Sequence, residues 1–342
     1  MGFWDKIRGI FGNGAEGDYS KDIDGYYRSA DPAPSSEGRK KKTFLSRLSS
    51  LIHRAEKPQW CGITLSLSSA CYLARRLRDG KEYSEKTIPR GDRAPRVISV
   101  PSPFLKNVQR QILSKILEPI DLHPAAHGFV KKRSIFTAVE PHAGKRVLVA
   151  MDIRSFFDTI TVKRVFGVFK ATGFSIREAA LLAEICTRNG RLPQGAPTSP
   201  AISNIVCKRL DARLAGLAAK RGFSYTRYAD DLFFSGGEKV AGLIPVFRKI
   251  IEEEGFETAP EKTRIMRSGS RQRALSLNLN TKVSVPRKVR RLIRAMVHKQ
   301  SVSGVPDEDL IPFLQGHIAL MKTVHPKQAA ELKRKLALAM RV

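Results

Sequence analysis

The sequence predicts an α+β fold in which helices surround a small antiparallel sheet whose strand ends carry acidic residues. Three observations lead there. The apolar run Val147-Leu-Val-Ala-Met-Asp-Ile153 reads as a buried strand with Asp152 near its end. The segment Ser224 to Ser235 reads as two short strands meeting at Tyr228-Ala229-Asp230-Asp231. On either side lie longer stretches with apolar residues at helical spacing.

In chain order, residues 1–12 could form a short amphipathic helix carrying Phe3, Trp4, Ile7, Ile10 and Phe11. Residues 12–42, ending in the run Lys40-Lys41-Lys42, are rich in Gly, Ser, Pro and charge and read as a flexible tether, so that 1–43 forms one N-terminal segment. The helix would dock on a partner or fold back on the body; the pattern suits both. Helical spacing resumes at Phe44 with Leu45, Leu48, Leu51 and Ile52. A hairpin follows, with Lys86–Arg90 and Arg96–Val100 joined by a turn at Gly91-Asp92. Residues 103–118 carry Leu105, Val108, Ile112 and Ile116 on one helical face. Helices are expected near 162–171, 176–188 and 198–221, the last opened by Thr198-Ser199-Pro200. Another is expected near 240–254, then two strands near 263–268 and 273–279. From Lys282 the chain reads as helical, with 13 Lys and Arg against 4 Asp and Glu. Val289, Leu292, Ile293, Met296 and Val297 form an apolar stripe there, and Arg287, Lys288, Arg290, Arg291, Arg294 and Lys299 lie mostly off it. In so basic a chain those cations suit a phosphate-tracking surface better than a merely solvated face.

Composition narrows the function. The 342 residues include 61 Lys and Arg against 32 Asp and Glu, a formal net charge of +29. Such an excess repels itself unless a polyanion neutralises it, and nucleic acid is the usual polyanion. No run of about 18 apolar residues occurs, so no membrane partner or span is expected. The start, Met1-Gly2-Phe3-Trp4-Asp5-Lys6, fits neither a secretory signal nor a myristoylation site, and a cytoplasmic location is the expectation. Cys61, Cys71, Cys186 and Cys207 form no C-x-x-C pair and read as core residues. His53, His298 and His317 are scattered and read as structural or surface groups.

The acidic residues point to phosphoryl chemistry. Transfer onto a hydroxyl builds negative charge on the attacking and leaving oxygens together, and two magnesium ions can stabilise both. Magnesium takes few carboxylates, completing its shell with water and phosphate oxygens. Asp152 at a strand end and Asp230-Asp231 at a hairpin turn offer such a set. Adjacent carboxylates repel unless a cation intervenes, although a solvated turn would carry the same residues.

The neighbouring motifs decide between these readings. The chain resembles reverse transcriptases, specifically those of bacterial retrons, over roughly residues 85–300. Asp152-Ile-Arg-Ser-Phe-Phe157 is similar to the first catalytic motif of that family, and Leu192-Pro-Gln-Gly-Ala-Pro-Thr-Ser-Pro200 to the second. Tyr228-Ala-Asp-Asp231 resembles the third, and Glu261-Lys-Thr-Arg-Ile265 the short motif after it. The resemblance implies a right-hand polymerase fold: fingers at 44–145, a palm with a small antiparallel sheet at 146–281, and a basic helical thumb at 282–342. It leaves little room for a further nuclease domain. It implies that Asp152 and Asp230 hold two Mg2+ ions, with Asp231 assisting, and that deoxynucleoside triphosphates are the substrates. Phe157 would stack under the incoming sugar and exclude a ribose 2′-OH, although either Phe156 or Phe157 must face inward. Gln194 and Gly195 would line the nucleotide pocket, Arg90 and Arg96 would grip the triphosphate, and Lys262 would help protonate the pyrophosphate. Arg287, Lys288, Arg290, Arg291 and Arg294 would bind nucleic acid.

The second motif, together with His127-Gly128-Phe129 and Arg133-Ser134-Ile135, looks retron-like rather than intron-like. Two departures stand out. Retron enzymes often carry Asn-Ala-x-x-His where this chain reads Ala138-Val-Glu-Pro-His142, and Val-Thr-Gly where it reads Ala274-Leu275-Ser276. Both elements are associated in the family with recognition of the cognate RNA, which implies a divergent RNA partner or subgroup. The implied activity is copying of a structured noncoding template-primer RNA into single-stranded DNA joined to RNA, in antiphage defence with a separate effector protein. Other bacterial reverse transcriptases, an RNA–DNA-binding scaffold and an RNA-templated RNA polymerase are the alternatives. Three clustered carboxylates beside a polyanion disfavour the scaffold, and Phe157 disfavours the RNA polymerase.

Overall fold

In a computed structural model, the residues described are 79–90, 93–302 and 307–340, with 63, 72–73 and 76–77. The expected N-terminal segment 1–43, the helical pattern from Phe44, the Gly91-Asp92 turn, Cys61, Cys71 and His53 lie outside them. The chain divides into two compact units. One holds the described residues up to Pro124 with Arg154–Ala212 and Glu253–Phe256; the other holds Ala125–Ile153, Arg213–Glu252 and the described residues from Glu257 onward.

The first unit opens with an antiparallel hairpin, β1 (Tyr83–Arg90) and β2 (Arg93–Pro101), in register from Tyr83 opposite Pro101 to Ile88 opposite Arg96. Helix α1 (Pro103–Ile112) follows, with Ser102 accepting from the Leu105 amide as its cap and Pro103 in the first turn, where a missing N–H costs nothing. It continues as a π-helical turn, Leu113–Leu117. Later in this unit come α3 (Val162–Ala171) and α4 (Ile176–Cys186), the latter opened by a Ser175/Glu178 capping box. The helix expected over 198–221 is two helices, α5 (Ser199–Val206) and α6 (Lys208–Arg221), of which α6 from Arg213 onward counts with the second unit. The break falls at Cys207, where ψ opens to 0°. Cys186 and Cys207 are both buried thiols.

The second unit contains α2 (Ile135–Val139) and a four-stranded antiparallel sheet of β3 (Val147–Asp152), β4 (Ser224–Tyr228), β5 (Asp231–Gly236) and β6 (Arg264–Arg267). The strand order is β4-β5-β3-β6, so β3 lies inside and is buried along nearly its whole length. Its apolar run follows from burial on both faces. The helix expected near 240–254 starts as a 3-10 turn, Glu238–Leu243, before α7 (Ile244–Glu253). Pro245 suits only a first turn and so sets that start.

The strand expected at 273–279 is instead a tight hairpin of β7 (Arg273–Ala274) and β8 (Leu277–Asn278). Leu275 and Ser276 between them take positive φ, 45° and 67°, the geometry that reverses two-residue hairpins. Three helices close the chain: α8 (Arg287–Val302), α9 (Leu310–Val324) and α10 (Pro326–Ala339). Leu148, Ala150, Phe233 and Met266 of the sheet share one core with Ile293, Val297, Leu314, Ile318, Leu332 and Leu336 of these helices.

Candidate active site

The three aspartates converge through strand register. Asp152, the last residue of β3, pairs directly with Asp231, the first of β5. The Ile153 amide donates to the Asp230 carbonyl at 3.0 Å, which closes the sheet across the tips of both strands. Between β4 and β5 the chain reverses at Ala229 and Asp230, with Ala229 at φ 56°. A non-glycine residue in the left-handed region is sparsely populated and persists only where its surroundings enforce it.

The enforcement is visible on the side away from the aspartates. Arg227 of β4 has no exposed surface, and its Nη1 donates to the Ala229 carbonyl at 3.1 Å. The backbone of Arg227 is held by the 125–128 loop: its amide donates to the Ala125 carbonyl at 2.8 Å, and its carbonyl accepts from the His127 amide at 2.7 Å. Gly128 then passes so close to the turn that a Cβ there would stand 2.5 Å from the Ala229 nitrogen. The sequence signalled this loop only as a resemblance at His127-Gly128-Phe129, and gave no reason to single out Arg227.

The electrostatics ask for a cation. Burial, then the charges of Asp230 and Asp152, push the Asp231 carboxyl up to about 6, against the opposing pull of Arg264 and Lys262. Lys262 Nζ stands 2.8 Å from Asp152 Oδ1, and the Ala259 amide donates to the Asp152 carbonyl at 2.9 Å. Among the described residues no group of three or more His, Cys, Asp or Glu side chains is arranged to hold a metal ion. Magnesium takes few protein ligands and completes its shell with water and phosphate oxygens, so a pair of carboxylates at the strand ends fits its chemistry.

The other expected nucleotide residues belong to the first unit. Arg96 Nε donates to Gln194 Oε1 at 2.8 Å, and the Ser99 amide donates to the Gln194 carbonyl at 2.8 Å. Gly195 follows at φ 124°, with space for a Cβ removed by the Ser99 carbonyl at 2.4 Å. Only glycine combines that backbone conformation with that approach. The structure therefore brings Arg96, Gln194 and Gly195 together, which their separation of about a hundred positions does not suggest. Arg90 ends β1, and its side chain lies outside the described ones. Of the neighbouring aromatics, Phe156 faces inward at 3% exposure and Phe157 stays partly open, the rings meeting edge-on at 5.4 Å.

On α8 the cations divide. Arg287, Lys288, Arg291 and Arg294 are exposed. Arg290 is half-buried and bonds inward, from Nε to the Val285 carbonyl and from Nη1 to Gln328 Oε1, both at 3.1 Å. The expected apolar stripe holds at Ile293 and Val297, with Val289 and Met296 packed beside them, whereas Leu292 is 53% exposed.

Comparison with known proteins agrees with this geometry. The family model described as reverse transcriptase (RNA-dependent DNA polymerase) matches residues 88–303. The fold is of the right-hand polymerase class, and the chain belongs to the reverse transcriptase family. Retron Mx65 reverse transcriptase of Myxococcus xanthus is 38% identical over 278 residues, covering 75% of this chain and 64% of its own length. Retron Mx162 reverse transcriptase of the same organism is 35% identical over 327 residues, covering 80% of this chain and 67% of its own. Retron Ec86 reverse transcriptase of Escherichia coli is 37% identical over 206 residues, covering 59% and 64%. Within the family the chain groups with the bacterial retron reverse transcriptases, spanning about two thirds of the length of these relatives.

Proposed function

We propose that this chain is an RNA-directed DNA polymerase of the retron type, copying a structured noncoding RNA into single-stranded DNA that stays joined to RNA. The observation that carries the reading is the pairing of Asp152 with Asp231 at a sheet end, with Asp230 on the adjoining turn. In this reading Asp152 and Asp230 hold two magnesium ions, which when bound stabilise the charge on the attacking and leaving oxygens. Asp231, one peptide away, assists by completing the negative field that draws cations to the strand ends.

The remaining residues bind and orient. Arg96, steadied by Gln194, presents a planar set of donors to the triphosphate. Gly195 lets backbone approach the nucleotide closely. Phe157, the more open of the two aromatics, lies under the sugar and excludes a 2′-OH. Lys262, a cation beside Asp152, donates the proton taken by the leaving pyrophosphate. Arg287, Lys288, Arg291 and Arg294 follow nucleic-acid phosphates along the exposed face of α8. We further infer a cytoplasmic particle of protein, RNA and DNA that works with a separate effector in antiphage defence, as the resemblance of the motifs to retron enzymes implies.

The test is to express the chain with its native upstream DNA and to sequence the nucleic acid that co-purifies. Short single-stranded DNA joined to RNA, absent when Asp230 is replaced (Asp230→Asn), is the expected result. DNA that persists in that variant would mean that another polymerase made it.

A further inference from the structure

His142 is a histidine with no exposed surface, beyond the reach of any RNA, in the segment whose family counterpart is associated with RNA recognition. Its ring lies between the two arms of the β4–β5 hairpin. Nδ1 is 2.6 Å from Ser235 Oγ on β5, and Nε2 is 2.8 Å from Thr226 Oγ1 on β4. Thr226 Oγ1 also lies 2.8 Å from the Ala138 carbonyl. A carbonyl only accepts, so the Thr226 hydroxyl spends its proton there and must accept from His142 Nε2–H. Nδ1 is then the unprotonated nitrogen and accepts from the Ser235 hydroxyl. One tautomer satisfies all four groups. Burial, with the nearby charges of His127 and Lys145, keeps the ring neutral, as that pattern requires.

The positions gripped are placed symmetrically. Thr226 stands four residues before Asp230, and Ser235 four after Asp231. We propose that His142, together with the backbone carbonyl of Ala138, is a positioning residue for the hairpin that carries Asp230 and Asp231, so that this buried histidine acts on the polymerase site. This explains which feature of the segment survives its departure from the family pattern. Position 138 works through its backbone carbonyl, which any residue type provides, while position 142 needs a side chain that offers a donor on one edge and an acceptor on the other. The inference rests on the reading of Asp230 and Asp231 as the polymerase carboxylates.

The experiment uses the full chain and single-turnover extension of a DNA primer on a homopolymeric RNA template, recording rate constant, active fraction and template affinity separately. For His142→Ala the expected result is an extension rate lowered about tenfold or more, the scale on which small misplacements of a catalytic group act, with template affinity and active fraction maintained. His142→Gln, which restores one donor and one acceptor, should recover much of that rate. Ser235→Ala should add little to His142→Ala, because both remove the same contact. An unchanged rate, lost template affinity at a normal rate, or losses confined to the active fraction would each overturn the proposal. If His142→Ala does not fold, Ser235→Ala and Thr226→Val take its place, and wild-type rates in both would overturn it. Asp230→Asn is run in parallel: activity there would sink the underlying polymerase reading, whereas an inactive Asp230→Asn beside a fully active His142→Ala sinks only this inference.

Discussion

Gly128 and the Ala229 backbone meet at a distance no side chain can share, and this contact ties the 125–128 loop to the β4–β5 turn that carries Asp230. Gly128→Ala forces backbone against backbone. It should lower stability by about 1–3 kcal/mol, as overpacking does, and slow primer extension; chemical denaturation and an extension assay check the two effects. Gly216→Ala is the control, since nothing lies within 4 Å of a Cβ there and its helical backbone favours alanine by up to about 1 kcal/mol. His142 supplies a second prediction. Its pKa is pushed down to about 3 from an ordinary 6.5 by burial first and then by His127 and Lys145, so the unfolded chain takes up this proton more readily than the folded one. The contribution to stability is complete above pH 6.5 and erodes as pH falls toward 3. Urea midpoints at pH 7.5 and pH 5 should differ more for the wild type than for His142→Gln, and equal differences would remove the titration of His142 as their cause.

On helix α8, charge alone does not separate phosphate contacts from structural ones. Arg290 spends its guanidinium on Val285 and Gln328 within the fold, while Arg291 beside it is exposed. Arg291→Ala should weaken nucleic-acid binding and reduce the slope of log affinity against log salt by about 1, the loss of one phosphate contact. Arg290→Ala should chiefly lower the melting temperature, leaving the slope nearly as it was; the opposite assignment would mean that Arg290 turns outward to phosphate. The β7–β8 hairpin stands where the sequence leads one to expect a single strand, 273–279. The reversal depends on positive φ at Leu275 and Ser276, which neither residue type announces. Leu275 packs on the shared core, which offsets its backbone strain. Ser276→Gly relieves a left-handed residue and should stabilise by up to about 1 kcal/mol in thermal unfolding.

Across the whole molecule the net charge of +29 predicts binding that weakens steeply between low and physiological salt, measured as template affinity against ionic strength. Much of the fold was legible without coordinates. The buried run of β3, the hairpin around Asp230 and Asp231, and most helices of the two units announce themselves by hydrophobic period, because burying one face of a helix or strand imposes that period on the chain itself. The aspartate set was legible for a related reason: its members sit at strand ends, in motifs of recognisable order. By itself, then, the sequence determined most of the element types, the candidate carboxylates and the excess of positive charge, all properties carried by neighbouring residues or by composition. Tertiary structure alone decided that Arg96 meets Gln194, that Arg290 faces inward while Arg291 does not, that Arg227 and Gly128 hold the aspartate turn, and that His142 bridges Thr226 and Ser235. Each of these is a hydrogen bond or steric contact between residues whose meeting depends on packing, and no local pattern encodes where a chain will return to itself.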